Sequence, residues 1–209
     1  MTSKLVHRLV SLAAFGAASV LAFAEGAPPT LTDDTGTPGD RHWEFDLGVG
    51  YARRPGLRTM DLPCAELRYG VGDTGQFTFA ISYLTAKEDG FAHVSAVGDT
   101  VLGAKWRFYD AGDKGLSIST HPQFCFNTPG SNADEKGLVT DGTTFVLPLQ
   151  FQHDVGPVTL VAEVAREFTP GDDDWCFGAA VVYSCTEKVA LAAEVSGGCT
   201  LRADRSVVT

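Results

Sequence analysis

Beyond its opening residues, this 209-residue chain has no run approaching the ~20 apolar residues of a membrane-crossing helix. A helical transporter is thereby excluded. Positive charge is also scarce, with 16 Lys+Arg against 26 Asp+Glu. Such a balance repels nucleic acid, which requires clustered cations, and no basic patch is legible in the sequence. Cysteine is sparse: Cys64, Cys125, Cys176, Cys185 and Cys199 are widely spread and form no C-x-x-C pair. An odd number excludes a complete disulfide framework in an exported chain and leaves open one internal pair. Their spacing offers no metal site. No G-x-S-x-G and no glycine-rich phosphate pattern is present. Helical periodicity is hard to find after residue 25.

The ends carry their own signals. Lys4, His7 and Arg8 precede an apolar stretch from Leu9 to Ala22, and Ala22-Phe23-Ala24 forms an A-x-A cleavage site. Residues 1–24 therefore read as a secretory signal peptide, with the mature chain starting at Glu25. A membrane anchor is the weaker reading, because the run is too short and ends in a processing site. Removing 24 of 209 residues leaves 185, the size of one domain. Lys4 and Arg8 go with the signal, so the mature chain has 14 cations, 26 carboxylates and a net charge of −12.

What the mature chain does have is strict alternation. Trp43, Phe45, Leu47, Val49 and Tyr51 share one face, and Glu44, Asp46, Gly48 and Gly50 share the other. This is the mark of a strand with one apolar and one polar side. The pattern recurs eight more times, around Leu67, Phe79, Leu102, Ile118, Leu147, Leu160, Phe177 and Leu191. Nine segments of roughly the 9–11 residues of a tilted membrane strand result. A soluble sandwich would alternate too. Two features favour lipid. Trp43, Tyr51, Trp106, Tyr109, Trp175 and Tyr183 fall toward strand ends, as interfacial girdles do. The polar faces are rich in glycine and small residues, as a crowded barrel interior requires.

The connections are expected to alternate in length. Ala52–Thr59, Thr85–Gly98, Asn127–Gly142 and Phe168–Asp174 read as the longer loops, and Gly72–Gly75, Asp110–Lys114, Asp154–Pro157 and Thr186-Glu187 as the short turns. The expectation is an all-β, antiparallel up-and-down transmembrane barrel of about ten strands. It is organised as a signal peptide (1–24), an extended N-terminal segment (25–41) and a barrel domain (42–209). The tenth strand falls to Leu201–Thr209, a weak candidate with Arg202, Asp204 and Arg205, so either this short tail closes the barrel, or the barrel is incompletely closed or shortened from a larger one, or closure comes from another chain. Pro63, Pro122 and Pro148 lie within strand patterns, where bulges or strand starts must accommodate them.

Several stretches are familiar in order. They are Pro28-Pro29, Leu31-Thr32-Asp33-Asp34, Thr37-Pro38-Gly39, Leu67-Arg68-Tyr69-Gly70-Val71, the run from Val97 to Phe108, Pro122-Gln123, Leu147-Pro148-Leu149-Gln150, Gly156-Pro157 and Leu191–Val195. Over about residues 28 to 196 the chain resembles a bacterial outer-membrane barrel family labelled meta-pathway phenol-degradation-like proteins or transporters. Members of that family usually continue for further strands, so this chain is C-terminally short beside them. The resemblance implies an outer-membrane location and uptake of small aromatic or hydrophobic compounds, and it supplies no catalytic residues.

The inward faces gather Glu44, Asp46, Glu66, Arg68, Lys105, Arg107, His121, Gln123, Gln150, Gln152, Glu163 and Glu167 as lumen-lining candidates. Charges so enclosed should pair, with Arg68, Lys105 and Arg107 neutralising Glu66, Glu163 and their neighbours. The same groups can line a selective polar path. Ser119 and His121 share a face, near His153. Residues two apart on a strand lie about 6–7 Å apart along it, too far for a nucleophile and its base, so no enzyme activity, metal or cofactor is expected. Asp172-Asp173-Asp174 lacks an EF-hand frame and reads as a solvated loop. The expected partners are the outer-membrane bilayer and small organic solutes, with no nucleic acid. The expected function is passive passage of such solutes. A non-conducting structural or adhesive barrel and a soluble periplasmic ligand-binding barrel are the alternatives. If export and cleavage run as read, the intact mass of the chain recovered from a Gram-negative host should correspond to a start at Glu25; a mass that includes residues 1–24 contradicts the signal-peptide reading.

Overall fold

The computed structural model describes residues 32–112, 115–169, 172–186 and 189–200. The segment expected to be a signal peptide (1–24) and the tenth strand expected at 201–209 lie outside these residues. No α-helix occurs among those described. The elements are β1 (Trp43–Arg54), β2 (Leu57–Val71), β3 (Gly75–Glu88), β4 (Val94–Asp110), β5 (Leu116–Thr120), β6 (Gln123–Asn127), β7 (Thr143–Val155), β8 (Val158–Thr169), β9 (Asp172–Thr186) and β10 (Val189–Thr200). All pair antiparallel, each with its neighbour in sequence, in one up-and-down sheet. β5 and β6 form one broken strand, and both lie between β4 and β7.

The ten elements thus match the expected number for a different reason: nine strands were legible, and the tenth arises from the break at His121-Pro122. Proline has no N–H to give the ladder, so the break sits where a donor is missing. Pro63 is accommodated at a bulge, where pairing skips from Asp61 to Cys64 against both β1 and β3. Pro148 stays in register opposite Ala165.

The strands run longer than expected, and the loop pattern needs correcting. At one end the connections are 55–56, 89–93, 128–142 and 170–171, so only 128–142 is long. At the other they are 72–74, 111–115, 156–157 and 187–188. Ala52–Thr59 is a continuous hairpin through Pro55-Gly56, with Arg53 opposite Arg58. Asp172–Asp174 opens β9 and is not a loop. Polar residues near strand ends look like loop residues, yet their backbones go on pairing where both faces meet water.

Sidedness follows the predicted alternation over much of the sheet. Trp43 is 64 % exposed, Leu47 66 % and Phe77 60 %. Gln150 and Ser119 are 0 % exposed. The buried set includes Gln76, Thr78, Lys105, Ser117 and His121, while the buried apolar residues are small, such as Ala165, Ala180 and Val182. A water-soluble core has the opposite arrangement. Cys64, Cys125, Cys176 and Cys185 are free thiols.

The sheet is curled, as a ten-residue segment ahead of β1 demonstrates. Thr32 bonds to Glu194 on β10, and Asp33 beside it bonds to Lys105 on β4. In a flat sheet those strands would lie some five spacings apart, about 24 Å. The segment then runs out past β2, where the Arg41 N–H donates to the Gly70 carbonyl at 3.0 Å and the Gly70 N–H to the His42 carbonyl at 2.9 Å. A side chain on Gly70 would overlap the carbonyl of Gly39. Gly70→Val should therefore cost about 1–3 kcal/mol, read as a lower thermal midpoint; an unchanged midpoint means the segment does not sit against β2.

Candidate functional site: the polar interior

All twelve lumen-lining candidates are buried or half-buried. They divide into two groups. In the first, Arg68 gathers three carboxylates from β1 and β2. Its Nη1 lies 3.0 Å from Glu44 Oε2, its Nε 2.9 Å from Glu66 Oε1, and its Nη2 bonds Asp46. Register explains the convergence, since Glu44 pairs with Arg68 and Asp46 with Glu66. One guanidinium carries five donors and serves all three. The group keeps a surplus of negative charge.

The second group is centred on a residue absent from the strand patterns. Asp33, in the leading segment, accepts from Lys105 Nζ at 2.9 Å, from Gln150 Nε2 at 2.8 Å and from His121 Nδ1 at 2.8 Å. Lys105 also donates to the Asp34 carbonyl at 2.8 Å. Enclosure alone raises the Asp33 carboxyl, but the His121 hydrogen bond and the Lys105 charge outweigh it and hold the group well below the usual carboxylate range. Around this centre, His121 Nε2 lies 3.0 Å from the Thr78 hydroxyl, and Gln150 reaches Glu163 at 3.0 Å. Ser119 donates to Gln150 Oε1 at 2.7 Å. Gly103 leaves room for the imidazole, since a Cβ there would stand 2.7 Å from His121 Nε2.

Two expected pairings are corrected. Lys105 makes no direct ion pair with Glu163; its close partners are Asp33 at 2.9 Å and Asp34 at 3.9 Å. Arg107 turns to the sheet end, where it bonds the Asp73 carbonyl and lies 3.3 Å from Asp110. The remaining candidates fall at the edges of the network. The Gln123 amide lies 3.1 Å from His121 Nδ1, Gln152 accepts from Thr35, and Glu167 accepts from the Cys176 thiol. Thr35 further bonds Ser117 at 2.5 Å. Ser119 and His121 bond different partners, Gln150 against Asp33 and Thr78.

Sequence reasoning missed the leading segment. The signal was there: inward Lys105 pairs with Gln76 on β3, and two residues along from Lys105 and His121, Gly103 pairs with Gln123, so no carboxylate stands among these neighbours. An acid had to come from elsewhere, and Asp33-Asp34 is the acidic pair just ahead of β1.

What the arrangement does is hold residues 32–35 inside the curl by hydrogen bonds, those of Asp33 with Lys105 being charge-assisted, the strong kind. A small cavity of about 250 Å3 remains beside Thr32, lined by Glu163, Cys176, Gly178 and Ser196. No protein-family model matches the chain, and no curated protein matches it. Lys105→Met leaves Asp33 without its cation and should cost about 2–3 kcal/mol. In a double-mutant cycle, Asp33→Asn with Lys105→Met should cost less than the two changes summed; strictly additive unfolding free energies would show that the two side chains do not interact.

Proposed function

We propose that the chain spans the outer membrane of a Gram-negative cell as a β-barrel, and that small organic molecules diffuse through it when the leading segment shifts within the lumen. The observation that carries this reading is the inverted sidedness. Large apolar side chains cover the outside, and Gln150, Ser119, His121 and Lys105 are enclosed. Lipid rewards that arrangement and water penalises it, which speaks against a soluble periplasmic barrel.

Two further features fit. Trp43, Trp106, Tyr109 and Tyr183 lie on the outside near one end of the strands, and Tyr51 and Trp175 near the other. Aromatic belts at both interfaces are built this way. The likeness to the phenol-degradation-like barrel family points to aromatic or hydrophobic solutes.

A second reading, a non-conducting structural barrel, is favoured by the density of contacts on Asp33. Flux separates the two. Liposomes carrying the variant Asp33→Ala/Thr35→Ala should admit a small aromatic solute severalfold faster than liposomes carrying the unaltered chain. Rates equal to those of protein-free liposomes for both proteins would remove the transport claim and leave the structural barrel.

A further inference from the structure

Strand pairing assembles a basic row that the sequence alone scatters. Arg53 on β1 stands directly opposite Arg58 on β2, and Arg58 stands opposite Lys87 on β3. Directly paired residues share a face. One step toward the middle of the sheet on that same face is the row Tyr51, Met60 and Thr85, with Tyr83 beside it. Tyr51, Met60 and Tyr83 are all exposed. The cation row is therefore on the outside, directly beyond an apolar and aromatic surface, and Arg54 follows it at the hairpin tip.

Like charges placed opposite one another destabilise a sheet. Here three lie within about two strand spacings, roughly 10 Å. Lys87 Nζ donates to the Phe91 carbonyl at 2.6 Å, and among the described residues none of Arg53, Arg54, Arg58 and Lys87 has a carboxylate within 4.0 Å. That is unexpected in a chain where carboxylates outnumber cations 26 to 16. Glu88 is next to Lys87, yet it pairs opposite Leu57, one step out of the row. A concavity of about 380 Å3 opens at the hairpin tip, lined by Arg53, Arg54, Arg58 and Asp89 with the turn between them. Repulsion left standing at an exposed site is relieved by an external anion. The apolar surface immediately beneath identifies which anion: one carried on an acyl chain.

We infer that Arg53, Arg58 and Lys87 bind the phosphate group of a membrane lipid whose acyl chain lies along Tyr51, Met60 and Tyr83. Guanidinium forks grip phosphate oxygens in pairs, and long basic side chains at a strand end reach up from an apolar surface to the headgroup level. The inference rests on the membrane-spanning reading.

The purified full-length chain in neutral detergent tests it, with phosphatidic acid, diacylglycerol and inorganic phosphate as probes and lipid binding read by native mass spectrometry. Phosphatidic acid should bind the unaltered chain about tenfold or more tighter than Arg53→Gln/Arg58→Gln/Lys87→Gln, the loss expected from removing several cation contacts. Diacylglycerol should not distinguish the two. Arg41→Gln, at the opposite end of the sheet, should bind as the unaltered chain does, and Arg53→Lys/Arg58→Lys should keep part of the affinity. Equal phosphatidic acid binding by the triple variant overturns the inference, as does displacement of the lipid by inorganic phosphate at equal concentration, which would mark a free-anion site. Extraction of the unaltered chain from membranes by carbonate would instead overturn the membrane reading itself.

Discussion

A buried ammonium must have a close counter-charge, and among the described residues no carboxylate on a strand lies within 4.0 Å of Lys105. Its two carboxylate partners, Asp33 and Asp34, both belong to the segment ahead of β1. An unpaired charge in an enclosed site costs several kcal/mol. The leading segment is therefore part of the folded interior and not a tail leading up to it. His121 and Gln150 depend on the same carboxylate, so three separate strand regions share one acid. These three side chains are satisfied together only with that acid in place.

The two halves of the polar interior solve the same problem differently. Arg68 is answered by Glu44, Asp46 and Glu66, all on β1 and β2. That cluster is complete once one hairpin has formed. The Lys105 cluster joins β4, the β5–β6 break, β7 and a segment more than 70 residues earlier in the chain. Loop closure on that scale costs entropy before any contact repays it. The local half can form early, and the long-range half fixes the final curvature. On the transport reading, a solute path would need the long-range half to yield, because the local half makes no contact with the leading segment's Asp33 carboxylate through a hydrogen bond.

The sequence disclosed sidedness well and connections poorly, for one reason. A period of two is written residue by residue, so Trp43 to Tyr51 declares its faces whatever surrounds it. Where a strand ends depends on backbone pairing, and a charged residue such as Arg53 or Lys87 looks the same in a strand and in a loop. The break at Pro122 was visible as an awkward proline, though not as a division of one strand into two. The Arg68 cluster was legible because its members are cross-strand neighbours within a recognisable hairpin. Asp33 was not, because nothing local ties an extended polar segment to side chains on β4 and β7.

The same segment bears on the two edges of the sheet. Among the described residues no pairing joins β1 to β10. Nine antiparallel staves leave these two edges running in the same direction, so direct pairing between them would be parallel. A second copy in the same orientation offers edges that run the same way and meets the same obstacle. All-antiparallel closure needs a strand of the opposite direction. Yet the curl does not wait for closure. Thr32 is held to Glu194 on β10, Asp33 to β4 and β7, and Asp40 and Arg41 to Gly72 and Gly70 beside the β1 edge. One short stretch of chain, continuous with β1, thus reaches from one edge of the sheet to the other. It acts as an internal strap: the distance between the edges is limited by the length of residues 32–42, and the curvature that encloses the polar face follows from that limit.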